Sequence, residues 1–463
     1  MATIEFLGAV GTVTGSKHLL TVGARRLLID CGLYQGLKEL RLRNWAAPPV
    51  DPATVDWLVL THAHIDHTGY LPRFRRLGFR GPIYATRATV DLLKILLPDS
   101  GHLQEEEAAY HNRRRTSRHD PALPLYTAEE GERAAAAATG VRYDEPVVLG
   151  PGLAVTFRRA GHILGSATVA VEFAEDGRRR RVVFSGDVGR YGAPLMPDPA
   201  PAGEADYVVV ESTYGDCRHD AASVPERLER LIGAAVARGG AIVVPAFAVG
   251  RTQDLMYHLG RLERAGRIPR LPIYLDSPMA IRATELYRAH LEELDGEARA
   301  MVARGASPFE AGEFHLARTV EESRAINDVS GPAIIVSASG MATGGRVLHH
   351  LRRRLPDPRT TVLLVGYQAL GTRGRRLEDG ERSVRIFGED VPVRATVEVL
   401  HGLSAHADAD GLLRWLGTVR RPPRLTFVVH GDPGPAAALA ARIRKALGWE
   451  VVVPAYRDRV PLE

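Results

Sequence analysis

The chain has 463 residues, 45% of them hydrophobic and 25% charged, which are ordinary proportions for a globular protein. This composition excludes a fibrous or wholly disordered chain, and the length predicts two or three domains. The longest apolar stretches, such as 241–250, have about ten residues, whereas a membrane-spanning helix needs roughly 20. No basic residue precedes Lys17, so the N-terminus does not resemble a signal peptide. We therefore expect a soluble protein without membrane contact.

Histidine outnumbers cysteine by 17 to 2. Two cysteines, Cys31 and Cys217, cannot form a disulfide framework or a Cys-rich zinc finger. A metal site must therefore use imidazole and carboxylate ligands, which suits a catalytic zinc. The net charge of +5 is too small to indicate a partner. However, nine arginines and four acidic residues fall within 346–382, so this stretch alone has an excess of five positive charges.

In the first half of the chain, predicted strands end at residues that can do chemistry. Residues 3–33 predict β-hairpins, and the four arginines at 178–181 predict a turn. The strands with functional ends are 27–30, which stops at Asp30; 57–61, which leads to His62; 182–184, which precedes Asp187; and 207–210, which precedes Glu211. Active-site groups in layered α/β folds converge where strands end.

After about residue 216 the pattern changes to helices that alternate with apolar strands. The predicted helices are 224–238, 251–264, 279–294 and 346–355, and the strands are 241–244, 273–275, 333–336 and 361–365. This alternation indicates βαβ units and a mostly parallel sheet. From about 397 a strand, a loop with His406 and a helix follow, then strand 425–429, which ends at His430, helix 434–447 and strand 451–453. We predict one domain, 1–215 and 396–463, interrupted by an inserted domain, 216–395.

The most informative segment is Thr61-His62-Ala63-His64-Ile65-Asp66-His67. Three histidines and a carboxylate directly after a strand can surround a metal ion, and one compact loop can supply ligands to two adjacent ions. An ordinary solvated loop rarely concentrates histidine in this way. Further candidate ligands or catalytic groups follow at strand ends and in the next loops: His162, Asp187, His406 and His430.

These motifs, in this order, resemble the metallo-β-lactamase superfamily. The additional segments Glu211-Ser212-Thr213-Tyr214-Gly215, Ser404-Ala405-His406 and His430-Gly431, on either side of an insertion, resemble its β-CASP branch of nucleases. The resemblance implies an α/β fold in which an αββα sandwich is interrupted by an inserted α/β β-CASP domain with a mostly parallel sheet.

The resemblance also implies a site with two Zn²⁺ ions. His62, His64 and His162 would bind one ion, Asp66, His67 and His430 the other, and Asp187 would bridge them. Asp30 would orient a ligand histidine, and Glu211 would hydrogen-bond His406 and fix its tautomer. Catalysis would then involve His406, Glu211, Asp66 and Asp30, with His406 as the general acid that protonates the leaving ribose oxygen.

The implied function is that of a zinc-dependent ribonuclease that hydrolyses single-stranded RNA to 5′-phosphate and 3′-hydroxyl ends. Endonucleolytic cleavage is expected, and additional 5′ exonucleolytic cleavage is left open. A DNA nuclease, a small-molecule metallo-hydrolase and a catalytically inactive RNA-binding scaffold are the alternatives; by analogy with relatives, His430 favours RNA. We expect a cytoplasmic protein and leave a homodimer open.

RNA phosphates should bind to the inserted domain. Residues 337–346, the glycine loop, lead from a strand into a helix, where backbone N–H groups can approach a phosphate. The candidate phosphate-binding residues are Ser337, Gly344, Gly345 and Arg346 in this loop, and Arg373, Arg375 and Arg376 beyond it. The alternatives are an ordinary strand–helix turn and a solvated basic surface.

Overall fold

The computed structural model describes residues 1–117, 119–175, 177–219 and 224–463. The chain forms two compact units. The first unit contains Met1–Gly192, Pro197–Arg218 and His406–Glu463, and the second contains Ala193–Met196 and His219–Ala405. Among the helices in the described ranges, none combines the length and the apolar character that a membrane crossing requires.

The first part of the chain builds most of the first unit. Its strands are β1 (Thr3–Phe6), β2 (His18–Val22), β3 (Arg25–Ile29), β4 (Trp57–Val59), β5 (Ile83–Thr86), β6 (Ala138–Val141), β7 (Pro146–Gly150), β8 (Leu153–Arg159), β9 (Ala167–Glu175), β10 (Arg178–Phe184) and β11 (Tyr207–Val210). Its helices are α1 (Lys38–Arg43), α2 (Ile65–Thr68), α3 (Leu71–Arg76), α4 (Arg87–Arg114) and α5 (Ala128–Ala136), with a 3-10 turn at Pro52–Thr54.

The middle of the chain builds the second unit. Its strands are β12 (Ile242–Pro245), β13 (Pro272–Leu275), β14 (Glu313–Leu316), β15 (Ile334–Ser337), β16 (Thr361–Leu364), β17 (Ser383–Ile386), β18 (Glu389–Pro392) and β19 (Thr396–Val399). Its helices are α6 (Val224–Ala237), α7 (Arg251–Arg264), α8 (Pro278–Ala289), α9 (Gly296–Ala303), α10 (Val320–Ala325), α11 (Val347–Arg354) and α12 (Arg373–Glu378), with 3-10 turns at Leu291–Glu293, Ile326–Asp328 and His401–Leu403.

The end of the chain completes the first unit with α13 (Ala409–Leu416), β20 (Leu425–Val428), α14 (Pro433–Leu447), β21 (Val451–Val452) and β22 (Arg459–Pro461). The first unit has two seven-stranded sheets, in the orders β22-β1-β2-β3-β4-β5-β6 and β21-β20-β11-β10-β9-β8-β7. Each sheet combines an antiparallel part with a parallel part: β3 to β6 are parallel in one sheet, and β10, β11, β20 and β21 in the other.

The two sheets of the first unit pack face to face. Phe6 and Leu27 of one sheet share a buried core with Phe157, Phe173 and Phe427 of the other. Fully burying one such Phe is worth about 1.5–3 kcal/mol relative to leaving it exposed. Helices α13 and α14 cover the outer face of the second sheet, and α4 packs on β5 and β6 of the first. The expected αββα sandwich is confirmed.

The second unit is built on a six-stranded, fully parallel sheet in the order β14-β13-β15-β12-β16-β19. Both faces are covered, because neighbouring residues of one strand enter different cores. Val244 packs with α6, α7 and α8, whereas Val243 packs with α11 and α12. The expected fold class, with an inserted α/β domain built on a mostly parallel sheet, is therefore confirmed.

Two details differ from the sequence analysis. The arginines at 178–181 are not a turn: they extend strand β10 and pair with residues 172–175 of β9, where Arg181 forms an ion pair with Glu172 and Arg180 one with Glu175. Opposite charges on adjacent strands therefore keep this polar stretch in the sheet. Residues 396–405 also lie in the second unit rather than in the returning domain, because β19 pairs with β16.

Candidate metal centre

The ends of the strands in the first unit bring the predicted metal ligands together. The segment with His62, His64, Asp66 and His67 follows β4, and Asp187 follows β10. His162 lies between β8 and β9, and His430 follows β20. Strands β10 and β20 run parallel in the second sheet, so Asp187 and His430 follow strands that end at the same edge. Strand β4 belongs to the first sheet, which packs face to face with the second, and for this reason residues that are 368 positions apart in the sequence can share one site.

One group of ligand atoms contains His62, His64, His162 and Asp187. The Nε2 atom of His62 lies 3.1 Å from Nδ1 of His64 and 3.3 Å from Oδ2 of Asp187. The Nε2 atom of His162 lies 3.2 Å from the same His64 nitrogen and 3.5 Å from the same Asp187 oxygen. Four potential ligand atoms therefore face a common centre.

A second group contains Asp66, His67 and His430. The Nε2 atoms of His67 and His430 are 3.0 Å apart. Oδ2 of Asp66 lies 3.3 Å from Nε2 of His430 and 3.8 Å from Nε2 of His67. Asp187 connects the two groups, since its Oδ1 lies 3.3 Å from His67 Nε2 while its Oδ2 faces the first group. One carboxylate thus reaches both groups with different oxygens.

The chemistry and spacing of these donors fit zinc. Ligands about 2.0–2.1 Å from a tetrahedral zinc lie about 3.3 Å from one another, close to the separations in both groups. The Oδ1 atom of Asp187 is buried, and no hydrogen-bond partner for it is found among the described residues. A buried carboxylate oxygen in that state is costly unless a cation compensates it. Imidazole nitrogens that converge on one point also need a cation or a proton between them.

Side chains around the groups fix the orientation of two of the histidines. Oδ2 of Asp30 lies 2.6 Å from Nδ1 of His67, so this ring directs Nε2 into the site. The hydroxyl of Thr213 lies 3.1 Å from Nδ1 of His430 and has the same effect there. Thr61 donates its backbone N–H to Oδ1 of Asp30 over 2.8 Å, which holds the carboxylate in place. Such contacts set the tautomer and basicity of metal-binding histidines.

His406 lies beside the first group, with Nδ1 3.0 Å from Oε2 of Glu211 and 3.8 Å from Oδ2 of Asp187. Glu211 is fully buried and accepts a 2.6 Å hydrogen bond from the N–H of Val188. This fixed carboxylate binds Nδ1 and orients the imidazole. The predicted pairing of Glu211 with His406 is present.

Loss of solvation is the main cause of the pKa shifts of the histidines in the first group. Burial lowers the pKa of His62, lowers the pKa of His64 to about 3 and lowers the pKa of His162 well below its ordinary value. These imidazoles are consequently neutral near pH 7, the protonation state that binds a metal ion.

In the second group and at Asp187, interactions between charges outweigh the effect of burial on the pKa values. Burial alone would lower the pKa of His67 and His430, but Asp187 and Asp30 raise the pKa of His67, and Asp187 and Asp66 raise that of His430. Burial would likewise raise the pKa of Asp66 and Asp187, but the nearby histidines hold both pKa values low. The carboxylates and these two imidazoles therefore favour each other's charged forms.

The predicted phosphate-binding residues all lie in the second unit, and the structure changes their interpretation. The hydroxyl of the buried Ser337 donates to the backbone oxygen of Asp276 over 2.8 Å, so we remove Ser337 from the candidates. Gly345 has a φ of 77° in the glycine loop, which suits glycine. Arg346 donates to Oδ1 of Asp276 over 2.8 Å.

The other three arginines also contact the protein. Arg375 forms an ion pair with Asp379 at 2.9 Å, and Arg376 forms one with Glu381. Arg373 donates to backbone oxygens, including that of Arg385 over 2.6 Å. Two of the three therefore have carboxylate partners that reduce the positive charge they offer to RNA. Their role in phosphate binding stays a prediction.

The residues that orient the ligands through hydroxyl groups were not predicted from the sequence. Thr61 and Thr213 both lie inside motifs that were recognised, directly before His62 and two residues after Glu211. Ser185 was also missed; its oxygen accepts a 3.0 Å hydrogen bond from the N–H of Glu211. A hydroxyl residue next to a ligand is a usable signal, but threonine and serine are too common to stand out without a structure.

Three protein-family models match the chain. They are described as "Beta-lactamase superfamily domain" over residues 25–238, "Beta-Casp domain" over 252–377 and "Zn-dependent metallo-hydrolase RNA specificity domain" over 390–454. Together they span both units. Since a metallo-hydrolase model matches and the His/Asp groups converge in the first unit, the coarse expectation of a metal-binding hydrolase is confirmed.

Similar proteins cover nearly the whole chain. "Ribonuclease TTHA0252" of Thermus thermophilus is 40% identical over 457 residues, which are 98% of this chain and 99% of that protein. "RNase J-like protein" of Methanocaldococcus jannaschii is 31% identical over 466 residues and 100% of both chains. "Transcription termination factor FttA" of Methanosarcina mazei is 32% identical over 96% of this chain and 69% of that protein.

Among solved structures, a protein of unknown function from Enterococcus faecalis V583 aligns over 100% of both chains with a TM-score of 0.55 and 12% sequence identity. At this identity, the similarity supports the fold alone.

The Asp30→Asn variant tests the orientation of His67. Donors from His67, Thr61 and Ser16 converge on the Asp30 carboxylate, and an amide NH₂ would face one of them. We expect zinc affinity, measured by competition with a chromophoric chelator, to fall about 10- to 100-fold. The control is Asp410→Asn, which removes a surface carboxylate paired with Arg218 and Arg442. Equal affinity of the Asp30 variant and the control would contradict the orienting role.

Proposed function

Because the chain belongs to the β-CASP branch of the metallo-β-lactamase superfamily, we propose that it is a zinc-dependent ribonuclease. It hydrolyses phosphodiester bonds of single-stranded RNA and leaves 5′-phosphate and 3′-hydroxyl ends. The observation that carries the proposal is Asp187, whose two oxygens face two separate groups of ligand atoms. The matched RNA specificity domain and the names of two relatives, a ribonuclease and an RNase J-like protein, support RNA as the substrate.

In this proposal the site holds two Zn²⁺ ions. His62, His64 and His162 would hold one ion and Asp66, His67 and His430 the other, and Asp187, which faces both groups, would serve both. When bound, such ions lower the pKa of a water molecule and neutralise charge on a phosphate oxygen.

The protein side chains supply the orientation and the proton. Asp30 and Thr213 keep His67 and His430 in the orientation that binds metal. Water adds to phosphorus as hydroxide after it has lost one proton to the solvent, and the bond from phosphorus to the ribose 3′ oxygen breaks. His406 gives the proton on Nε2 to that oxygen, because an alkoxide is a poor leaving group. Glu211 holds Nδ1 and keeps the ring in one orientation for the transfer.

RNA binding in the second unit is part of the proposal. The glycine loop precedes α11, and the first N–H groups of a helix attract phosphate. Gly344, Gly345 and Arg346 remain candidates, together with Arg373, Arg375 and Arg376. Endonucleolytic cleavage and a cytoplasmic location stay predictions. Additional 5′ exonucleolytic cleavage and a homodimer stay open.

The Asp66→Ala variant separates cleavage from RNA binding. Asp66 contributes a charged ligand atom near His67 and His430. Its loss should reduce the RNA cleavage rate on the order of a thousandfold or more, because transition-state charge loses its compensation. The RNA affinity measured by fluorescence anisotropy should stay within about twofold, since the second unit carries the proposed contacts. An unchanged cleavage rate, with Asp410→Asn as the control, would overturn the metal mechanism.

The His406→Ala variant tests the proton donor. We expect normal zinc content and a cleavage rate about 10²- to 10⁴-fold lower. The loss should shrink with a substrate that has sulfur in place of the bridging 3′ oxygen, because a thiolate leaves without a proton. The control is His102→Ala, since His102 is 62% exposed on α4. Loss of zinc from the His406 variant, or an equal loss of rate on both substrates, would contradict the assignment.

A further inference from the structure

A two-residue hairpin loop in the second unit carries an exposed aromatic ring. Strands β17 and β18 pair antiparallel, with Ile386 opposite Glu389, and Phe387 and Gly388 form the loop between them. Both loop residues have positive φ, 52° for Phe387 and 85° for Gly388, as a type I′ turn requires. We call this element the Phe387 hairpin.

Phenylalanine is an unfavourable residue for this position. The left-handed backbone region is strained for bulky side chains, and Asn-Gly or Asp-Gly is the usual sequence of such a turn. The ring is also 42% exposed, so burial offsets only part of the strain. A strained residue that does not serve the core indicates a functional constraint.

The ring of Phe387 lies against a second aromatic ring. Its centroid is 4.7 Å from that of His349, and the two planes are inclined by 34°. His349 is exposed and lies in the first turn of α11, directly after the glycine loop. The two rings therefore form an aromatic surface one helical turn from the loop that we propose binds phosphate.

Arg373 fixes the hairpin relative to the glycine loop. Its Nε donates to the backbone oxygen of Arg385 in β17 over 2.6 Å. Its Nη1 donates to the backbone oxygens of Ala342 and Thr343, over 3.3 and 3.1 Å, in the glycine loop. The partly buried Arg373 side chain thus connects both elements and holds the hairpin beside the loop.

We propose that Phe387 and His349 form a stacking platform for one nucleobase of an RNA whose phosphate lies at the glycine loop. The inference rests on the proposed function, since it assumes an RNA substrate. Aromatic side chains bind unpaired bases by stacking on their flat faces, and this binding tolerates any base. The occupant is RNA rather than a protein partner, because the platform adjoins a loop whose helix N-terminus favours phosphate. The acidic residues of the hairpin have positively charged neighbours. Glu389 forms an ion pair with Arg352, and Asp390 lies opposite Arg385 in the strand pairing.

The Phe387→Asn variant separates folding from binding. Asparagine tolerates the left-handed region and forms the preferred Asn-Gly turn, so the melting temperature should stay equal or rise. The aromatic face is lost, so the affinity for a short single-stranded RNA should fall about 5- to 100-fold. The affinity is measured by fluorescence anisotropy in the Asp66→Ala background, where the RNA is not consumed. Phe387→Tyr is the matched control and should bind as the parent does.

Cleavage kinetics provide a second readout. In the otherwise unchanged protein, Phe387→Asn should raise KM for RNA while zinc content and kcat stay the same, because the platform lies outside the metal centre. Unchanged affinity and KM would overturn the platform, as would an equal loss for Phe387→Tyr. A parent protein that binds RNA with Phe387-dependent affinity but never cleaves it would overturn the proposed ribonuclease and leave the platform supported. A parent that does not bind RNA would overturn both.

Discussion

The Asp187 carboxylate is the constraint on which the first unit depends. It is buried and negatively charged, and its oxygens face the histidines of two different groups. A buried carboxylate is stable only when positive charge compensates it closely. The surrounding protein therefore has to bring imidazoles from three separate segments of the chain to one point. Each of these imidazoles can bind a metal ion or a proton. Metal binding at this site therefore depends on the protonation of its histidines.

The fold meets this constraint through backbone contacts between loops. Asp30 and His430, at the ends of β3 and β20, both have positive φ, 60° and 48°. This turns their side chains away from the direction in which the strand would continue. The N–H of Cys31 donates to the oxygen of His67 over 2.7 Å, and the N–H of Ser16 donates to the oxygen of Asp66 over 2.8 Å. The loop that supplies the second group is therefore held by its neighbours before any metal ion binds.

Much of the site could be predicted from the sequence because its chemistry is concentrated in rare residues. Histidines after predicted strands are uncommon, and the structure gathers all seven candidate ligands, although their roles as ligands stay proposals. The residues that orient them, such as Thr61 and Thr213, could not be singled out because hydroxyl residues are frequent. The ion pairs of the arginines in the second unit could be predicted only in part. The partner of Arg375 at i+4, Asp379, was visible in the sequence, but that of Arg346, Asp276, is 70 positions away.

Errors in the predicted elements have local causes. The arginines at 178–181 looked like a turn because four charges in a row rarely form a strand, yet ion pairs across the ladder hold them in β10. Strand β19 was assigned to the returning domain because a strand pattern does not reveal its partner. The same limit applies to Phe387: its positive φ follows from the two-residue hairpin and cannot be seen from composition. Pairing partners, rather than strand propensity, were the missing information.

The central claim is that the protein exchanges protons for two metal ions around Asp187. Calorimetric titration of metal-free protein with Zn²⁺ in buffers of different ionisation enthalpy tests it most directly. Because Asp187 and the neighbouring carboxylates raise the pKa values of His67 and His430, a metal ion has to compete with protons for both rings. We expect two ions per chain, net proton release and weaker binding as the pH falls. Binding of fewer than two ions, or heats that do not depend on the buffer, would contradict the account.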